Sequence, residues 1–204
     1  MPTRILIEGR PGSGKTTAIR RLAALLHTRE AAGFTTEEIR AGGARAGFAL
    51  ETLDGRRAVL AHVSFPGPPQ VGRYGVDLRV MAELALPSLP PLPSLPAPPS
   101  FPEPPSPPPP PAAPPVAPPV TPPRERLVLI DELGRMELAY PPFRDAVQAL
   151  FAAGVDVVAT VQAQHGPLTD ALKRRPDVEL IRLTPANRDA LPARLAARLE
   201  PAGH

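Results

Sequence analysis

Cysteine and tryptophan are absent from this chain of 204 residues, and aromatic residues make up only 4% of it. Without cysteine there is no disulfide and no thiolate metal site. Long apolar runs are missing too: none approaches the ~20 residues that cross a bilayer. The N-terminus enters the apolar run Ile5-Leu6-Ile7 at once, without the apolar region of a signal peptide. A charge of one sign does not dominate. The net charge is +3, and the arginines are scattered, with short pairs at Arg20-Arg21, Arg56-Arg57 and Arg174-Arg175 but no basic run. Nucleic acid is therefore not indicated as a partner. His27, His62, His165 and His204 show no ligand spacing, so no structural metal is expected. These absences point to a cytoplasmic protein without a membrane partner, and a monomer is compatible with all of them.

Proline, in contrast, is abundant, with 33 residues crowded mainly into Pro87 to Pro123. Prolines remove backbone donors and favour polyproline II over helix or sheet. Fully extended, this tract would reach on the order of 115 Å at ~3.1 Å per residue, so it must leave the core. The remaining ~165 residues suit one α/β domain of ordinary size. The organisation expected is a single domain over residues 1–204 carrying a low-complexity insertion at 87–123. PxxP spacings such as Pro90 to Pro93 and Pro93 to Pro96 match SH3-like or WW-like ligands. The favoured reading is a solvated loop with no dedicated partner.

Outside the tract, apolar periodicity predicts the elements. A strand at Arg4 to Glu8 feeds a glycine loop, and Ala18, Ile19, Leu22, Leu25 and Leu26 recur at helical spacing, with Gly33 as the expected stop. Arg45 to Leu53 and Arg57 to Val63 flank Asp54-Gly55, a hairpin signal because such turns need positive φ. Gly67 to Val80 mixes turn and strand character. After the tract, a buried strand at Leu127 to Ile130 is followed by a helix near Pro142 to Ala153. A strand at Val155 to Thr160, a short helix near Leu168 to Arg174 and a strand at Val178 to Leu183 come next. Thr184-Pro185 has the form of an N-cap and first turn for a last helix to about Leu199. Strands alternating with helices predict a mostly parallel sheet covered on both faces, with the hairpin inserted.

The loop itself reads Gly9-Arg10-Pro11-Gly12-Ser13-Gly14-Lys15-Thr16-Thr17. This is the full Gly-x4-Gly-Lys-Thr signature in its required context, strand before and helix after. Glycines let backbone N–H groups turn toward one anion, and the helix N-terminus adds partial positive charge. Lys15 is expected to reach the β- and γ-phosphates, the Thr16 hydroxyl to bind Mg²⁺, and Thr17 to touch the α-phosphate.

The run "LVLIDE" places Asp131 and Glu132 at the C-terminal end of an apolar strand, where open α/β sheets build their ligand crevice. An isolated Asp-Glu would only solubilise a strand end. Beside a phosphate loop, Asp131 fits the Mg²⁺-holding carboxylate and Glu132 the base that orients or deprotonates a water. Thr160 and Gln162, one strand on, are open to two readings: γ-phosphate sensors or ordinary polar strand ends.

With "GRPGSGKTT", "GFTTEEIRAGGARAGF", "VGRY", "LVLIDELGRMEL" and "RRPDVELIRLTPANRDALP" in this order, the chain resembles the P-loop nucleoside-triphosphatase family known from thermophiles and, in vertebrates, as the cancer-related nucleoside triphosphatase. The likeness covers nearly all of the chain outside the proline tract, which is itself the main departure. It implies a RecA-like core sheet and Mg²⁺-dependent hydrolysis of several nucleoside triphosphates to diphosphate and phosphate. It also directs attention to Glu37, Arg40, Arg45, Arg135, Glu137, Asn187 and Arg188. Arg40, Arg45 or Arg135 is then a candidate internal arginine finger, with Arg135 taken as the catalytic one. Asn187 and Arg188, in the first turns of the last helix, become candidates for nucleobase contact.

Two other functions stay open on the residues alone. A nucleoside or small-metabolite kinase shares the same phosphate cradle, although no basic lid segment is evident. A nucleotide-dependent adaptor would use the proline tract to recruit a partner.

Overall fold

The computed structural model of the chain describes residues 1–27, 29–91 and 127–200. The proline tract beyond Pro91, with its PxxP spacings at Pro93 and Pro96, and His204 lie outside the described residues.

Strand β1 (Arg4–Gly9) leads into helix α1 (Lys15–Leu25). Next comes a meander of β2 (Ala31–Ala41), β3 (Ala44–Thr52), β4 (Arg57–His62), β5 (Gln70–Val71) and β6 (Tyr74–Val76). A helix follows, with α2 (Leu78–Val80) continuing as a π-helical turn over Met81–Ala85. After the insertion come β7 (Leu127–Leu133), a 3-10 turn (Glu137–Ala139), α3 (Pro141–Ala152), β8 (Asp156–Gln162), α4 (Pro167–Lys173), β9 (Glu179–Arg182) and α5 (Leu191–Leu199).

Among the described residues the strands form one sheet of nine, in the order β5-β6-β4-β3-β2-β7-β8-β1-β9. Strands β2, β7, β8, β1 and β9 run parallel, whereas β3, β4, β6 and β5 extend the sheet as an antiparallel wing. The expected hairpin is thus continuous with the core sheet instead of hanging from it. Its Asp54-Gly55 turn forms as expected, with Gly55 at φ 90°. A tighter, two-residue turn joins β2 to β3 at Gly42 and Gly43, both at positive φ, the conformation whose twist matches paired strands.

Alternate side chains go to opposite faces. Ile5, Ile7, Leu127, Leu129 and Val158 pack under α1 and α5 with Ile19, Leu22, Leu195 and Leu199. Leu6, Val128, Ile130, Val157 and Ala159 pack under α3, where Phe143, Val147 and Leu150 are fully buried. Each of the larger of these side chains contributes roughly 1.5–3 kcal/mol. Helices on both faces and a parallel half-sheet carrying the buried core agree with the α/β expectation.

Two boundaries differ from it. Helix α1 ends at Leu25, and Gly33 lies inside β2 at φ +118°, where a Cβ would run into the backbone carbonyl of Leu129. The glycine serves close strand packing, not helix termination. The last helix starts at Leu191, not after Thr184-Pro185. The Asn187 side chain closes residues 184–187 into a separate turn, accepting from Thr184 N at 2.8 Å and donating to Arg182 O at 2.9 Å. Asn187 and Arg188 therefore precede the helix.

Candidate active site

Three neighbouring strands, β7, β8 and β1, end at the same edge of the sheet, and their last residues build the site. From β1 the chain turns through the glycine loop. Gly12 (φ 75°) and Gly14 (φ 97°) take left-handed backbone, and Gly14 caps α1. Ser13 N donates to Arg10 O at 3.1 Å, so the loop is curled before the helix begins. Lys15 is buried, and its Nζ donates to Gly9 O at 3.0 Å and Arg10 O at 3.3 Å. Arg10, Pro11, Gly12 and Thr17 are exposed, while Ser13, Gly14 and Thr16 are half-buried.

Strand β7 brings the acidic pair to this loop. The β7–β8 ladder shifts register between Ile130 and Leu133, and the two neighbouring carboxylates both engage groups at this edge. Glu132 Oε2 lies 3.2 Å from Lys15 Nζ, and its Oε1 accepts from the Gln162 side-chain amide. Asp131 is 1% exposed and accepts from Thr160 Oγ1 at 2.6 Å. Burial pushes the Asp131 carboxyl up, while hydrogen bonding with Thr16 and Thr160 opposes the shift. Its other oxygen, Oδ2, is buried without a hydrogen-bond partner among the described residues. An orphaned carboxylate oxygen beside a threonine hydroxyl has the donor chemistry for a hard divalent cation. Asp131 and Thr16 therefore fit Mg²⁺.

Behind the pair, Glu137 is buried and accepts from Gly134 N at 3.2 Å. Burial first, then the neighbouring Glu132 charge, pushes its carboxyl up to about 8. The neutral acid braces the turn that carries Arg135. Arg135 is exposed, without an ion-pair partner among the described residues, on the wall of a cavity of about 1140 Å³ between α3 and α4 that Gln162 also lines. Arg40 and Arg45 instead both engage Glu38, Arg40 at 2.6 Å. Glu37 is paired with Arg57 at 2.9 Å and Arg20 at 3.7 Å.

On the other side of the loop, a cavity of about 590 Å³ is lined by Arg10, Ser13, Arg182, Leu183, Thr184 and Pro185 among others. Neither Asn187 nor Arg188 lines it. The Asn187 amide is spent on the turn described above, and Arg188 is exposed with Asp189 at 3.9 Å.

The structure thus brings together Gly9, Lys15, Asp131 and Glu132. Sequence reasoning left Gln162 undecided and passed over Glu8 and Lys173. Lys173 Nζ contacts Glu8 Oε1 at 2.8 Å and Gln162 O at 2.9 Å. The signal was present: Lys15 and Lys173 are the only lysines in a chain otherwise built on arginine.

A family model described as NTPase matches residues 4–92 and 121–196. The chain is 37% identical over 188 residues to the nucleoside-triphosphatase THEP1 of Thermotoga sp. (strain RQ2), covering 92% of this chain and 90% of that protein. It is 33% identical over 202 residues to the human cancer-related nucleoside-triphosphatase, covering 94% and 93%. The crystal structure of THEP1 from Aquifex aeolicus superposes with a TM-score of 0.73 at 31% identity, covering 98% of this chain and all of that one.

Proposed function

From the premise that the chain belongs to the nucleoside-triphosphatase family, we propose that it hydrolyses nucleoside triphosphates to diphosphate and phosphate, with water as acceptor and Glu132 as base. The observation that carries this reading is the Glu132 carboxylate, held between the loop lysine and the Gln162 amide. A carboxylate with one oxygen fixed and the other beside the phosphate-binding lysine is placed to take a proton from a water in line with the γ-phosphate.

In this reading the backbone N–H groups of residues 9–17 cradle the phosphates. Lys15 exchanges its carbonyl contacts for the β- and γ-phosphate oxygens, which are stronger acceptors. That exchange loosens its hold on Glu132 Oε2 and frees the oxygen for the water. Asp131 and the Thr16 hydroxyl would hold Mg²⁺, which when bound neutralises the terminal phosphate charge. Arg135, without an ion pair among the described residues and on the turn after Glu132, is the arginine available to offset charge on the transferred group.

The nucleoside we assign to the cavity of about 590 Å³ between the loop and Pro185. Its lining joins the apolar Leu183 and Pro185 with Arg10 and Arg182, a mix that suits several bases. Asn187 then acts by shaping the 184–187 turn. A cytoplasmic setting suits an enzyme without cysteine, and no helix among the described residues is long and apolar enough to cross a membrane.

The test is free phosphate release from ATP, GTP, CTP and UTP with Mg²⁺ and no added acceptor, for wild type and Glu132→Gln. The expected result is release from all four, reduced at least ~100-fold in the variant with binding retained. Nucleotide consumption that appears only on adding a nucleoside, yielding the phosphorylated nucleoside in place of free phosphate, would make the enzyme a kinase.

A further inference from the structure

The second lysine of the chain is nearly as enclosed as the first. The Lys173 side chain, at the end of α4, is 12% exposed, and that of its partner Glu8 is 11% exposed. Glu8 immediately precedes Gly9 of the phosphate loop, and Gln162 stands opposite Gly9 in the β1–β8 ladder. From a single nitrogen, Lys173 donates to the Glu8 carboxylate and to the Gln162 carbonyl. The side chain of the same Gln162 donates to Glu132 Oε1. One ammonium therefore ties the strand end that launches the phosphate loop to the strand end that steers the carboxylate.

We propose that Lys173 is a positioning residue for hydrolysis: by clamping Gln162 against Glu8, it sets the direction of the Gln162 amide and, through it, of the Glu132 carboxylate relative to the phosphate loop. The proposal rests on the reading of Glu132 as base. Its two oxygens are held by different elements, one by Lys15 on α1 and one by Gln162 on β8. If Gln162 drifts, the carboxylate turns toward Lys15 and away from the water. A displacement of ~1 Å at a reacting group costs on the order of 100-fold in rate. The residue type fits as well. A compact ammonium satisfies a carboxylate and a carbonyl from one point, whereas a planar guanidinium needs a wider enclosure.

Replacing Lys173 alone would strand the Glu8 charge in a dry place, so the informative change is the pair Lys173→Met/Glu8→Gln. Arg182, 3.6 Å from Glu8, is 79% exposed and remains solvated without it. Steady-state phosphate release, Kd for a fluorescent nucleotide analogue and Tm are measured for wild type, this pair, Gln162→Met, their combination and Glu132→Gln. The expected result is kcat lowered roughly 10- to 100-fold in the pair, with a several-fold smaller change in KM and Kd, since the loop is intact and Glu8 only borders the nucleoside cavity. Adding Gln162→Met should cause no further loss, since both changes act through one link. Wild-type kcat in the folded pair, or losses that multiply with Gln162→Met, would overturn the proposal. Should the pair fail to fold, Lys173→Arg carries the test: kcat is expected to fall with Kd unchanged, and wild-type kcat overturns the brace. Turnover retained in Glu132→Gln removes the base itself. Turnover lost there but unchanged in the Lys173 variants removes only the brace.

Discussion

The Lys15 ammonium and the Glu132 carboxylate stand 3.2 Å apart, with side chains only 7% and 18% exposed. The proposed phosphate-binding cation and the proposed base are thus one largely enclosed ion pair. Lys15→Met should weaken nucleotide binding by about 100-fold, or ~3 kcal/mol, and abolish phosphate release, because it removes a phosphate ligand and unbalances Glu132. Calorimetric titration with a non-hydrolysable nucleotide checks the first effect. Affinity within threefold of wild type would detach Lys15 from the phosphates.

Glu137 gives a pH signature. Its carboxyl is raised from the ordinary 4.5 to about 8 by burial and then by the Glu132 charge. Between these values the folded protein keeps a proton that the unfolded chain has released, so stability falls as pH rises through the window. At pH 7 the penalty is ~3 kcal/mol at ~1.4 kcal/mol per unit. Glu137→Gln keeps an acceptor for Gly134 N–H and removes the titration. Tm of the variant should exceed that of wild type by several degrees at pH 7.5 and match it near pH 4.5. Parallel pH profiles would show Glu137 to be ionised in the fold.

At Gly33 the fold depends on a missing side chain. Its φ of +118° and the Leu129 carbonyl beside it leave no room for a Cβ. Gly33→Ala should cost about 3 kcal/mol, read as a lower urea midpoint with an unchanged slope. A midpoint equal to wild type would mean that β2 and β7 separate without penalty.

Asn187 offers a test of indirect substrate binding. Losing both turn-closing bonds in Asn187→Ala should destabilise by ~1–2 kcal/mol. It should also raise KM several-fold for all four nucleotides with kcat nearly unchanged. A change confined to one base would instead give Asn187 a direct nucleobase contact.

The elements with a strong periodic signal, such as β1, α1, β7, α3 and β8, were legible because each shows one apolar face or one buried run. The candidate site was legible wherever it is local: the loop from Gly9 to Thr17 and the pair Asp131-Glu132 are contiguous in sequence. What escaped was set by contacts of single residues that periodicity does not report, some of them long-range. Gly33 reads as a helix stop until Leu129 is seen against it. Thr184-Pro185 reads as a helix start until the Asn187 side chain captures the turn. Lys173 reads as an ordinary basic residue at a helix end, because its partners lie 165 and 11 positions away. The candidate fingers Arg40 and Arg45 could be set apart from Arg135 only once Glu38 was found between them.

The ends of β7, β8 and β1 supply Asp131 and Glu132, Thr160 and Gln162, and the start of the phosphate loop, and these strands are consecutive in the sheet. The proposed base and cation ligands are therefore drawn mainly from a ribbon three strands wide. The antiparallel wing shares its core with the ribbon but lends it none of these polar groups. The Asp54-Gly55 turn of the wing points to the opposite edge of the sheet, whereas the Gly42-Gly43 turn follows β2 out past the same edge as these residues. Length can therefore change at Asp54-Gly55 at a distance from the proposed reaction, while any change at Gly42-Gly43 is made on its side of the sheet.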